Sequence, residues 1–157
     1  MEKFILRVLA LLGSALVVKV IRKDSLRDWV IIFLLKGFLA SFIDAIMTNK
    51  NLIKYPVRFM PQYFRINILF DYLLFPIMCV LFNQMTFQKS PKAILLISFI
   101  FTIPMTAVEV ILESKTKLIT FKNGWKWYYT FISETLAFLF SRVFIAFVRK
   151  QARISIN

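Results

Sequence analysis

The chain predicts an all-α integral membrane helical bundle of five transmembrane helices, or of four plus an N-terminal interfacial helix, forming a single domain over residues 1–157. Three observations predict it. Hydrophobic residues make up 59% of the sequence and the mean hydropathy is +0.71, both too high for a domain that hides its core from water. Apolar runs alternate with short segments that collect nearly all the Lys and Arg. Eighteen phenylalanines stand against three glycines, which favours long uninterrupted helices over turns. Short strands of alternating polarity, the mark of a transmembrane barrel, do not recur.

The first predicted helix covers about residues 4–22. Some 18 apolar residues just cross hydrocarbon that needs roughly 20, so both a spanning and a surface-lying helix fit. Its start is like that of a signal peptide, but Val17-Val18-Lys19 is no small-residue cleavage site, and the segment is expected to be retained. The second helix, 26–47, has Asp24 or Ser25 as its cap and Asp28 in the capping-box position. Gly37, Ala40, Ser41 and Asp44 lie on one stripe of it, which should meet another helix.

Residues 48–65 mix Lys50, Lys54, Arg58 and Arg65 with Tyr55, Phe59, Tyr63 and Phe64, the composition of a headgroup-layer loop. The third helix, 66–82, holds Asp71 near its start and Pro76 in its middle, where a kink is expected. The fourth, 93–112, carries Pro104 as a second kink, with Glu109 and Glu113 on one face. A second aromatic and basic loop follows, turning at Gly124. The fifth helix, 127–148, is interrupted by Glu134 and Arg142. Lys54, Tyr55, Trp125, Trp127 and Tyr128 are the expected lipid-interface residues.

Twenty-one Lys and Arg against eight acids leave a net charge of +13, and membrane lipids with anionic headgroups are the expected partners. A membrane-protein partner or a homo-oligomer suits a chain of this size, whereas nucleic acid does not, since no segment is long enough for a water-soluble basic module. The cations divide almost evenly between the two sides, so the positive-inside rule assigns no orientation. Cys79, the one cysteine, lies in an apolar run and reads as a small core residue. Histidine is absent, which removes the commonest metal ligand and general base. With no nucleophile elbow and no phosphate-cradling glycine loop, no catalytic residue, metal or cofactor is assigned.

Five of the eight acids, Asp44, Asp71, Glu109, Glu113 and Glu134, stand inside or at the lip of the apolar runs. Ionised carboxylates are costly there, so such groups are paired, protonated or facing a polar cavity. Alternate helices reverse direction, which gathers all five in one shallow layer beneath the two aromatic and basic loops. The leading expectation is that they pair with Lys36, Arg142, Arg58 or Arg65 and fix helix register. The alternative is a polar vestibule, open to one side, that holds a cation or relays protons.

Lys54-Tyr55-Pro56-Val57-Arg58, Asn67-Ile68-Leu69-Phe70-Asp71-Tyr72, Ile103-Pro104-Met105, Glu109, Glu113 and Gly124-Trp125-Lys126-Trp127-Tyr128 carry a resemblance. From about Asp28 onward the chain resembles a family of small uncharacterised multi-pass membrane proteins of endospore-forming Bacillota. That resemblance implies a bacterial plasma membrane and supplies no catalytic residue. The function expected from the sequence is a non-enzymatic structural or accessory membrane component, with a small transporter or ion-binding protein as the alternative.

Overall fold

The computed structural model describes residues 1–20 and 25–154, the last two by their backbone alone. In chain order these form α1 (Glu2–Val20), α2 (Leu26–Asn49), β1 (Ile53–Lys54), α3 (Phe75–Met85) entered through a π-helical turn at Phe70–Leu74, α4 (Pro91–Lys115), β2 (Thr120–Phe121) and α5 (Trp127–Ile154). The class is all-α, since the strands are two residues each.

Polar caps, not the last apolar residue, end the helices, and most therefore outrun the lengths expected from hydropathy. α4 starts at Pro91 because Ser90 Oγ accepts from the Ala93 amide at 3.3 Å and proline suits a first helical position. It ends at Lys115, where the Thr116 amide and hydroxyl both reach the Leu112 carbonyl, at 2.9 and 2.6 Å. The third helix begins later than Ile66, because Asn67 Oδ1 accepts the Phe70 amide at 3.4 Å and acts as its cap. The kink expected at Pro76 is replaced by the π turn just before it, in which the Phe75 amide bonds the Phe70 carbonyl. That wider turn stands where the proline ring would crowd an α-helix. Pro104 lies within an unbroken α4.

Asp24 and the end of the first predicted helix lie outside the described residues. Asp28 reaches a partner far along the chain. Its Oδ2 accepts from Arg149 Nε at 2.6 Å, tying the start of α2 to the far end of α5. The Arg149 guanidinium also lies 4.6 Å from the Phe87 ring centroid and 5.6 Å from that of Trp29.

Among the described residues three helices are long and apolar enough to cross a membrane: Leu26–Asn49, Pro91–Lys115 and Trp127–Ala152, with mean hydropathies of 2.2, 2.2 and 1.8. Their most apolar stretches are only 33, 22 and 28% buried, so most of that apolar surface faces outward, as lipid requires and water does not. Phe38, Leu96, Ile100 and Val143 are among the exposed side chains. Phe70–Met85 is a shorter apolar helix.

Inside the bundle Phe138 of α5 is fully buried, with its ring centroid 5.6 Å from Phe75, 5.1 Å from Phe82 and 5.5 Å from Phe101. Cys79 is sealed in the same core. α1 runs parallel to α3 along its length: Leu6 packs on Leu69, Gly13 abuts Leu73, and the Val20 carbonyl accepts from Gln84 Nε2 at 2.6 Å. The stripe on α2 meets a helix as expected, with Gly37, Ala40, Ser41 and Asp44 buried. A Cβ on Gly37 would lie 3.3 Å from Tyr72 Cδ1 and 3.8 Å from the Asp71 carbonyl oxygen. Gly37→Val should therefore push α2 away from α3 and cost about 1–3 kcal/mol, read as a lower midpoint in thermal unfolding of the detergent-solubilised protein. An unchanged midpoint would show that this contact does not fix the α2–α3 spacing.

The end of α2, the start of the π turn, the end of α4 and the start of α5 meet at one end of the bundle. The two loops there join edge to edge: β1 and β2 pair antiparallel, with Ile53 opposite Phe121 and Lys54 opposite Thr120. The Val57 amide adds a bond to the Lys117 carbonyl at 3.0 Å. The segment read as a headgroup-layer loop thus doubles as a lid over the helix ends.

Candidate functional site

Beneath that lid lies a cavity of about 110 Å³ lined by Lys36, Asp44, Tyr55, Asp71, Glu109, Trp125, Thr130 and Glu134, together with apolar side chains of α2, α3 and α5. Four of the five expected acids therefore converge. Glu113 does not: it is half-buried one turn beyond Glu109 and outside the cavity. One helical turn after Glu109 carries it into the last turn of α4, toward the loop.

Asp44, Asp71 and Glu134 are 7, 3 and 4% exposed, and Glu109 is half-buried. Asp44 is the best satisfied. Its Oδ1 accepts from the Tyr55 hydroxyl at 2.8 Å and its Oδ2 from the Asn67 amide at 3.4 Å. Tyr55 is consequently not a lipid-interface residue: it is 8% exposed and its ring turns inward beneath β1. Burial, and after it the charge of Asp44, raise its phenol well above the usual range, which keeps it a hydrogen-bond donor. Asp71 lines the same cavity as Asp44, and its Oδ2 is buried with no hydrogen-bond partner. Two ionised carboxylates sharing one buried cavity repel each other, which favours a proton on one of them.

The α4–α5 wall is a seam of hydroxyls. Thr135 Oγ1 meets Thr102 Oγ1 at 3.2 Å, Thr106 Oγ1 donates to Glu134 Oε2 at 3.0 Å, and Thr130 lines the cavity with Glu109. Trp125 is half-buried, donates from Nε1 to Thr130 Oγ1 at 3.1 Å and lies tilted against Tyr129, ring centroids 5.3 Å apart. It lines the cavity instead of standing free of it. Trp127, Tyr128 and Lys54 are exposed.

The expected ion pairs do not form. Among the described residues the ion pairs within 4 Å are Arg149–Asp28 and the N-terminal amine with Glu2. Lys36 shares the cavity with the acids, yet its Nζ stands 3.9 Å above the Phe75 ring centroid. Arg58 spends its guanidinium on the carbonyls of Phe64, Tyr55 and Pro61, at 2.5, 2.8 and 3.2 Å. Arg65 is exposed. Arg142, two turns along α5 from Glu134, has a buried Nη1 with no hydrogen-bond partner. Asp71 Oδ2 and Glu134 Oε1 are likewise buried without a partner.

Among the described residues no three acidic or cysteine side chains come close enough to form a metal-ligand set. What the arrangement offers chemically is four carboxyl groups around one cavity, two of them holding hydroxyl donors: Tyr55 on Asp44 and Thr106 on Glu134. Asn67, Thr106 and Thr130 were missing from the candidate site residues read in sequence, and Tyr55 was among them only as a lipid-interface residue. Thr102, Thr106 and Glu109 fall on one helical face, a signal that could have marked the two threonines; nothing local marks Tyr55, whose partner lies 11 residues away.

Compared with known proteins, the chain matches no family model, no curated protein and no solved structure.

Proposed function

We propose that this chain is a non-enzymatic, multi-pass protein of a bacterial plasma membrane whose buried carboxyl groups hold and exchange protons. The observation that carries the reading is the convergence of Asp44, Asp71, Glu109 and Glu134 on one cavity with no cation, among the described residues, within 4 Å of any of their carboxyl groups. Buried carboxyl groups without a cation favour the protonated form, and membrane-embedded acids of this kind line proton relays. A proton, unlike a hard cation, needs no set of several oxygens around it. An accessory component held together by acid–base pairs is less well supported, because Asp44 and Glu134 take hydroxyl donors instead.

Five spans suit this reading. α1, at about 28 Å, and the segment Phe70–Met85, at about 24 Å, are near the thickness of the hydrocarbon layer. They lie parallel and in contact, so both cross together or neither does. The intervening α2 and α4 then run the opposite way. The resemblance at Lys54–Arg58 and Gly124–Tyr128 is the support for a bacterial plasma membrane.

The test is proton uptake into liposomes containing the purified protein and a trapped pH dye, driven by a potassium diffusion potential. Acidification faster than in protein-free vesicles, and unaltered when external sodium is replaced by choline, is the expected result. Vesicles that stay silent at every pH and potential would sink the proposal.

A further inference from the structure

We propose that the lid carries a separate binding pocket for a phosphate group at the membrane surface, formed by Lys54, Arg58, Arg65, Thr48 and Asn51. These residues line an open cavity of about 410 Å³ whose walls also include Ile53, Tyr55 and Pro56. Its volume lies in the range of small-ligand sites and well exceeds what a bare phosphate fills. Three cations face it and none of the lining residues is acidic, while Asp44, Asp71, Glu109 and Glu134 line the separate carboxyl cavity below.

Arg58 makes this more than a charged surface. Three of its five N–H groups are fixed by the carbonyls of Tyr55, Pro61 and Phe64, which holds the guanidinium in place and leaves two donors over. A charge held in position loses little freedom when it binds, and a guanidinium matches a phosphate's paired oxygens. Lys54 and Arg65, both exposed, add mobile positive charge beside it.

The same three carbonyls of Arg58's partners bracket a turn at residues 59–64, pinned by the Tyr63 and Phe64 amides bonding the Met60 carbonyl at 3.1 and 3.3 Å. That turn holds Phe59, Met60, Tyr63 and Phe64 out in the open, with Tyr63 76% exposed. Exposed aromatics beside a basic pocket are what a headgroup and its glycerol backbone would meet at the interface, and they offer nothing to a free phosphate ion. The shared chemistry is a phosphate mono- or diester anion.

The experiment uses the full chain in detergent. Native mass spectrometry counts bound phosphatidylglycerol and phosphatidylcholine, and calorimetry follows titration with inorganic phosphate. The double variant Lys54→Gln/Arg65→Gln is compared with Lys89→Gln/Lys92→Gln, which removes equal charge from exposed positions in the turn before α4 and at its start. Arg58 is left intact because it also holds the turn. The expected result is retained phosphatidylglycerol, lost about tenfold or more in the first variant and kept in the second, as removal of two charge-assisted contacts predicts. Phosphate binding without lipid, lost in the same variant, would assign the pocket to a free anion and still support it. Equal losses in both variants, or no selective binding of either ligand, would overturn it. Neither outcome depends on proton uptake, since the pocket shares only Ile53 and Tyr55 with the carboxyl cavity and none of its acids.

Discussion

The double variant Asp71→Asn/Glu134→Gln should reduce proton uptake to the level of protein-free vesicles while keeping the fold within about 1 kcal/mol of the wild type. An amide has the shape of a protonated carboxyl group and can both donate and accept. Asn at 71 keeps the size of Asp71 and brings a donor to the cavity shared with Asp44, and Gln at 134 can still accept from the Thr106 hydroxyl now 3.0 Å from Glu134 Oε2. What the amides cannot do is release a proton. If the acids instead balanced Lys36 as buried ion pairs, removing two of them would strand a buried ammonium and cost on the order of 3–5 kcal/mol. Thermal unfolding in detergent beside the uptake assay separates the two accounts. A silent, stable variant supports proton exchange, and an unstable one supports ion pairing. Uptake that persists at the wild-type rate would exclude these two carboxyl groups from any relay.

Phe138→Ala should be the most destabilising single substitution in the bundle, by about 3–5 kcal/mol. The residue is fully buried and is the common neighbour of three rings, Phe75, Phe82 and Phe101, on two other helices. Truncation opens a void among rigid aromatics that cannot collapse to fill it, and it removes the edge contacts as well. Because lipid tails are as apolar as the core, packing of this kind is what holds α5 to α3 and α4. A chemical-denaturation midpoint would register the loss, and Phe138→Leu should recover part of it. A midpoint unmoved by the alanine would mean that the three helices are held together elsewhere.

Sequence and structure agree most closely where one helix at a time is concerned. Hydropathy and the alternation of basic segments located α2, α4 and α5, and the caps only moved their ends. Helix alternation alone also put Asp44, Asp71, Glu109 and Glu134 at one end of the bundle, where the cavity gathers them. Glu113 was drawn in with Glu109 by the same face, and one further turn of helix was enough to take it out.

Choice of partner was not legible. Arg149 and Asp28 are 121 residues apart, and no local rule links the last turns of α5 to the first turn of α2. Tyr55 has the composition of an interface residue and the position of a buried donor, because the pairing of β1 with β2 turns its ring inward. Lys36 was expected on a carboxylate and stands over Phe75 instead. Periodicity and helix length act on neighbours within a few turns, so the sequence by itself determined helices, their sidedness and the outward apolar surface. Whether a buried acid finds a cation, a hydroxyl or another acid depends on ångström-scale contacts between segments distant in the chain, and only the tertiary structure decided that.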